Sequence, residues 1–209
     1  QAIQQLEQEG FLEAKRGSGT FVSTNKELIQ SLSTEITGFM DEIFYQVQKA
    51  RTQWAEIHVI DTPLIVRDKL RLGPKEKRTT QITRVRALDN KPFCHAINYL
   101  PMKIGSRISK EELLKKPLLQ IIEQDLGVPF TEAVQVIQAS FADPEISSTL
   151  GVASGSPTLC IERIMYTIGR RPVNLFKAHY RSDLFKYIVR LKNVRQKKEN
   201  IWIHQSEYL

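Results

Sequence analysis

The chain has 209 residues, of which 41% are hydrophobic and 25% are charged, a composition typical of a globular protein with at least one sizeable core. Its apolar runs are far shorter than the roughly 20 residues of a bilayer span, and no leader pattern opens it, so we expect a cytoplasmic protein with no membrane partner. Cys94 and Cys160 are the two cysteines, outside any metal-ligand spacing, which argues against a disulfide framework or a metal site and predicts two buried thiols.

The net charge of +7 indicates an anionic partner, but this charge is concentrated in two stretches. Residues 67 to 86 contain eight cations and two anions, and residues 186 to 199 contain six cations and one anion. The second stretch extends into a C-terminal tail over 192–209. That tail is interpreted either as a solvated end or as a surface for DNA or a partner subunit.

The chain opens with a helix-like run followed by a tight hairpin. Ile3 and Leu6 have helical spacing, and Gly10 follows as a helix-ending residue. Two short strand-like segments, "FLEAK" and "TFVS", flank Gly17 and Gly19, which can adopt the positive φ angles of a tight turn. On residue types alone, this is either an ordinary surface hairpin or one that contacts phosphate groups.

The same segment resembles the end of the winged helix-turn-helix domain of the GntR family of transcriptional regulators. The resemblance is carried by Ala2, Leu6, Gly10, Leu12, Gly17, Gly19, Thr20, Phe21 and Val22. It implies that residues 1–23 are the C-terminal remnant of a DNA-binding domain, that most of this domain lies upstream, and that residues 24–44 are a linker. The wing residues that would contact double-stranded DNA are Lys15, Arg16, Gly17, Ser18, Gly19 and Thr20.

Short helices are predicted at three places after the linker. Thr62 is expected to cap one helix, with Pro63 at its first position. Ser109 and Glu112 form a capping box that opens a helical stretch reaching residue 127, and a third helix is expected to begin at Asp143.

Strand patterns surround these helices and come largely in hairpins. Turn residues at 89–92 and 169–171 separate pairs of alternating segments, and a long strand is expected just before residue 143. Consecutive hairpins predict an α+β fold in which an antiparallel sheet carries helices on one side.

Arg84 and Arg86 stand two apart on one predicted strand, so both guanidinium groups project from the same face. They form either a basic stripe on a solvated face or a fork that binds a carboxylate or phosphate by paired hydrogen bonds. The neighbouring Glu162-Arg163 pair of a later strand is interpreted as a structural ion pair or exposed alternation. No residues form a catalytic constellation that we can defend, and no cofactor is indicated.

Residues 45–191 resemble the UTRA effector-binding domain of the HutC subfamily of GntR regulators, whose fold is similar to that of chorismate lyase. The matching positions are Arg84, Arg86, Pro92, Tyr99, Leu100, Pro101, Leu150, Gly151, Val152, Pro157, Leu159, Ile161, Glu162, Arg163, Tyr180, Arg181 and Asp183. The resemblance implies that Arg84 and Arg86 hold the anionic group of an effector.

The sequence departs from sugar-phosphate-responsive members of that subfamily at three positions. Pro117 and Leu119 stand where those members have polar phosphate-binding residues, and Ala96 stands in place of a sugar-binding Glu. The departures favour a smaller or more apolar carboxylate or phosphate. If position 96 lines the site, then Cys94 and Asn98 share its strand face, and Tyr180 is placed there as well.

The resulting hypothesis is a dimeric transcription regulator, most simply a repressor, that a small anionic metabolite releases from its DNA operator. Two alternatives remain open at this stage. One is a chorismate lyase-like enzyme, and the other is a stand-alone anion-binding module.

Overall fold

The computed structural model describes residues 12–15, 19–22, 50–185, 191–196 and 199–204, and a six-stranded antiparallel sheet dominates it. The strands are β1 (Leu12–Lys15), β2 (Gly19–Val22), β3 (Ala50–Asp61), β4 (Arg78–Leu88), β5 (Lys91–Pro101), β6 (Glu132–Phe141), β7 (Pro157–Thr167), β8 (Arg171–Arg181), β9 (Leu191–Gln196) and β10 (Glu199–His204). The helices are α1 (Leu64–Lys69), α2 (Met102–Gly105), α3 (Lys110–Lys115), α4 (Leu118–Gln120) and α5 (Pro144–Leu150), with a π-helical turn at Ile121–Asp125. The predicted α+β class with an antiparallel sheet is confirmed.

The main sheet is built from two three-stranded meanders that meet at its centre. Its strand order is β3-β4-β5-β8-β7-β6, so the first meander joins the second through the pairing of β5 with β8. The β4–β5 turn uses Asp89 and Asn90 at φ 47° and 64°, and the β7–β8 turn uses Gly169 and Arg170 at φ 72° and 54°. These left-handed conformations match the twist of an antiparallel hairpin, as the sequence predicted.

Two of the three predicted helix starts are present. The Ser109 hydroxyl accepts a hydrogen bond from the Glu112 amide at 3.3 Å, and the Glu112 carboxylate accepts one from the Ser109 amide at 2.8 Å. Asp143 Oδ1 accepts from the amide of Ile146 at 2.8 Å and begins α5. The capping box and the aspartate cap are therefore confirmed.

The expected Thr62 cap is wrong. Pro63 occupies the cap position of α1, and the Thr62 hydroxyl instead lies 2.7 Å from that of Thr79 on β4. The single helix expected from Ser109 to residue 127 is also divided. It breaks at Pro117, which lacks an N–H group and so ends α3 before α4 begins.

Helices cover both faces of the sheet rather than one. The segment from α3 to the π-helical turn packs on Ile82 of β4 and Leu100 of β5, which project from the same face of the sheet. On the other face, Val66 and Leu70 of α1 pack against Leu175. Both faces need cover because the central strands carry apolar residues at odd and even positions alike.

The predicted N-terminal hairpin forms as β1 and β2, with Lys15 opposite Gly19 and Ala14 opposite Thr20. The other wing residues, at 16–18, lie outside the described residues, as do the expected helix over 1–9 and the linker at 24–44. In the tail, β9 pairs with β10.

Candidate functional site

The strand register brings six of the residues singled out in the sequence onto one face of the sheet, which we call the arginine face. Opposite residues of an antiparallel pair share a face. The pairs that define this face are Arg86–Cys94, Arg84–Ala96, Ile82–Asn98 and Cys94–Tyr180.

Arg84 is a buried cation with no carboxylate partner among the residues that the structure describes. Its side chain is 7% exposed, and its Nη2 donates to Oδ1 of Asn98 at 2.9 Å. Its Nε is buried and has no hydrogen-bond acceptor within the described part of the chain. An unpaired buried charge is costly, so this position favours the arrival of an anion.

The charge state of Arg84 reflects this burial. Desolvation, with a smaller contribution from the neighbouring Arg86 cation, lowers the pKa of Arg84 to about 10. The side chain nevertheless remains protonated at neutral pH. Arg84 therefore keeps its positive charge although the described residues pair no carboxylate with it.

Arg86 is half-buried and lies beside an aromatic ring. Its guanidinium carbon is 5.5 Å from the ring centroid of Phe93, a distance suited to a cation–π interaction. Because Arg86 follows Arg84 on the same face of β4, the two cations border the same area of the sheet.

Neutral hydrogen-bonding groups stand next to the two arginines. Cys94 and Tyr180 are both buried and their side chains interact with each other. Burial raises the pKa of the Cys94 thiol and of the Tyr180 phenol, so both are protonated at neutral pH. Tyr180 also stacks on Phe185, with ring centroids 4.2 Å apart.

Small side chains lie next to Arg84 on the two central strands, β5 and β8. Ala96 and Ala178 are opposite each other on β5 and β8, in the same row as Arg84, and both are 0% exposed. Both pack in a buried apolar cluster that also contains Ile161 and Phe185. The centre of the arginine face next to Arg84 is therefore apolar.

Sequence reasoning did not place two further polar residues, Asn174 and Arg163, on this face. Asn174 on β8 is 1% exposed and accepts a hydrogen bond from Asn98 at 2.9 Å. Arg163 on β7 is 5% exposed, donates from Nε to Oε1 of Gln135 at 2.7 Å, and lies over the ring of Phe176. Alternation divides the residues of each strand between two faces, but only the pairing of β8 with β5 and β7 shows which of these is the arginine face.

The interpretation of Glu162 and Arg163 as an ion pair or exposed alternation is wrong. As adjacent strand residues they project from opposite faces. Glu162 forms an ion pair with Lys69 of α1, whereas Arg163 is buried on the arginine face.

The described residues contain no cluster of three or more histidine, cysteine or acidic side chains that could hold a metal ion. They also contain no helix that is long and apolar enough to cross a membrane. The arginine face presents guanidinium and amide N–H groups, which are donors suited to an anion.

Comparison with known proteins agrees with this architecture. The UTRA domain matches residues 46–186, so the chain belongs to the UTRA-domain family. The chain is 26% identical over 205 residues to the HTH-type transcriptional regulator Rv0792c of Mycobacterium tuberculosis, covering 91% of this chain and 70% of that protein. It is 25% identical over 188 residues to the HTH-type transcriptional repressor NagR of Bacillus subtilis, covering 90% of this chain and 76% of that protein.

A solved structure supports the same grouping. The ligand-binding domain of a protein assigned to the GntR family of transcriptional regulators, from Bordetella bronchiseptica, superposes with a TM-score of 0.60 at 27% identity. The match covers 69% of this chain and 96% of that domain. These relatives of the chain are thus HTH-type or GntR-family transcriptional regulators.

Proposed function

We propose that this chain is part of a GntR-family transcription regulator of the HutC subfamily that responds to a small anionic metabolite. In this proposal, residues 45–191 bind the effector, residues 24–44 link them to the DNA-binding remnant at 1–23, and residues 192–209 form the tail. The protein acts in the cytoplasm. The observation that carries the proposal is the burial of Arg84 without a carboxylate partner in the described part of the chain.

The anionic group of the effector binds to the fork of Arg84 and Arg86. Arg84 supplies a buried charge whose Nε–H group has no acceptor among the described residues, and Arg86 supplies a second, half-buried charge beside it. The thiol of Cys94, the hydroxyl of Tyr180 and the amide of Asn98 border the same area, and Ala96 lies opposite Arg84 on the next strand. Charge-assisted hydrogen bonds of this kind are the strong ones in proteins, which gives the site its preference for acids.

The regulator is a dimer that represses transcription. Regulators with winged helices read two related half-sites through two-fold symmetry, and the name of NagR as a transcriptional repressor supports the direction of control. Residues Lys15 to Thr20 form the wing that contacts DNA. The effector releases the operator by binding one arrangement of the dimer more tightly than the other.

A gel-shift titration of the full-length protein tests this function. Operator fragments are first selected from random DNA, and a panel of small phosphates and carboxylates is then screened for release of the complex. The double variant Arg84→Ala, Arg86→Ala is expected to bind operator as the wild type does but to show no release.

The control removes two exposed arginines of the same domain, through Arg51→Ala and Arg107→Ala, and is expected to behave as the wild type. Release that survives in the fork variant would refute the site. A full-length protein that selects no DNA sequence would refute the regulator itself.

A further inference from the structure

A chain of buried amides extends from Arg84 across the centre of the sheet. Nη2 of Arg84 donates to Oδ1 of Asn98 at 2.9 Å, and Nδ2 of Asn98 donates to Oδ1 of Asn174 at 2.9 Å. These three residues lie on β4, β5 and β8 and are 7%, 1% and 1% exposed. The two meanders of the sheet are therefore joined by a polar relay, by which we mean the side chains of Asn98 and Asn174.

The relay fixes the orientation of each amide. An asparagine carries an acceptor oxygen on one side and a donor nitrogen on the other. Because Asn98 uses its oxygen for the guanidinium of Arg84, its nitrogen must face Asn174, which accepts with its own oxygen. A rotation of Asn98 would set its nitrogen against the donor of Arg84 and its oxygen against the oxygen of Asn174, so these two partners together hold Asn98 in one orientation.

The two amide side chains, Asn98 and Asn174, are electrically neutral. They satisfy one donor of Arg84 but add no negative charge, and the Nε–H of Arg84 keeps no acceptor within the described residues. The strand positions next to Arg84 on the arginine face are occupied by Ala55, Ala96, Ile82 and Arg86, so no carboxylate competes for this group there.

We propose that Asn98 and Asn174 are positioning residues, which orient the guanidinium of Arg84 while leaving its charge and its Nε–H group for the acid group of the effector. This inference rests on the proposed function of the same site. It also narrows the class of effector to a carboxylate or phosphate whose remaining part has no ammonium group. The positions beside Arg84 offer no counter-ion to an ammonium group.

An aspartate at position 98 makes the inference testable, because it has the shape of asparagine but brings a negative charge. It would form an internal ion pair with Arg84 and so replace the anion that the site is built to receive. Binding of inorganic phosphate to the full chain is measured by titration calorimetry, with ethyl phosphate and ethanolamine phosphate as two probes of similar size that differ in an ammonium group.

Asn98→Asp is expected to weaken phosphate binding at least about tenfold, whereas the exposed control Asn90→Asp leaves it unchanged. In an Arg84→Ala background, Asn98→Asp is expected to cause no further loss, because the residue acts through Arg84. The wild type should prefer ethyl phosphate to ethanolamine phosphate, and Asn98→Asp should reduce that preference. Asn174→Ser, which shortens the relay without adding charge, provides a second variant and is expected to lower the affinity severalfold.

The outcomes separate the inference from the function on which it rests. Phosphate binding that is lost in Arg84→Ala but kept in both Asn98→Asp and Asn174→Ser would overturn the positioning role and leave the site intact. Equal loss from Asn98→Asp with and without Arg84 would also overturn it. Equal phosphate binding by the wild type and Arg84→Ala would overturn the proposed effector site itself.

Discussion

His95 on β5 and His179 on β8 are directly paired in the strand register and lie behind the arginine face. Both are buried, at 3% and 8% exposure, and Nδ1 of His179 lies 3.2 Å from the hydroxyl of Thr158. Helix α5 packs on β5 near them and brings the carboxylates of Asp143 and Glu145 close enough to oppose the effect of burial on their pKa values. His95 therefore lies on the opposite face from Arg84, and we assign it no effector contact.

This pair makes stability depend on pH. Burial lowers the pKa of His95 and, together with Lys177 and His95, lowers the pKa of His179 below the ordinary value of 6.5. The unfolded chain therefore binds more protons than the folded one as the pH falls through about 6.5, and stability that is complete above this pH is lost. We expect the melting temperature to fall between about pH 7.5 and about pH 5.5.

Thermal unfolding of a double variant, His95→Gln and His179→Gln, checks this dependence. The melting temperature of this variant should fall less than that of the wild type as the pH is lowered. The variant His58→Gln, which alters an exposed histidine, should show the full fall. A wild-type melting temperature that is flat over this range would contradict the assignment.

Gly105 in α2 is a packing position. A Cβ atom added there would lie 2.2 Å from Cβ of Thr80 on β4, a residue that is itself 0% exposed and unable to withdraw. Gly105→Ala is expected to destabilise the fold by about 3 kcal/mol, measured by urea unfolding. Gly73→Ala is the matched control, since its Cβ would meet its first neighbour at an ordinary 3.7 Å. Equal stabilities of the two variants would contradict the packing shown at α2.

The two thiols are expected to be unreactive in the folded protein. Cys94 and Cys160 are each 1% exposed, and burial raises the pKa of both. Because the thiolate is the reactive form, iodoacetamide at about pH 7.5 should modify neither cysteine in buffer and both in urea, as read from intact mass. Rapid modification of Cys94 in the native protein would show that the arginine face is open at this residue.

The wing is tested through salt dependence. In the full-length protein, Lys15→Ala with Arg16→Ala should reduce the slope of log affinity for operator DNA against log salt by about 2, at about 0.9 per lost phosphate contact. Lys103→Ala with Lys110→Ala removes two exposed lysines of the effector domain and should leave the slope unchanged. A slope that the wing variant does not alter would remove Lys15 and Arg16 from the DNA interface.

Local chemistry made much of this fold predictable. Turn residues such as Asp89 and Asn90 adopt the positive φ angles that their type favours, and Ser109 and Asp143 cap helices as their spacing indicated. Alternation along a single strand was also sufficient to place Arg84 and Arg86 on one face, because it requires no knowledge of the partners of that strand.

The features that the sequence did not predict depend on contacts between distant segments of the chain. The pairing of β5 with β8 brings Asn98 to Asn174, which are 76 positions apart, and no local pattern specifies it. The face on which Arg163 is buried likewise depends on strand partners, since β7 joins β5 only through β8. Thr62 likewise leaves its predicted cap because Thr79 of β4 competes for its hydroxyl.

The claim that the fork of Arg84 and Arg86 captures an anion is tested most directly by NMR of the arginine Nε–H groups during titration with inorganic phosphate. The Nε–H signal of Arg84, assigned by its loss in Arg84→Lys, should shift saturably together with that of Arg86, while those of the exposed Arg51 and Arg107 remain in place. Shifts confined to exposed arginines, or a signal of Arg84 that phosphate leaves unchanged, would contradict the account.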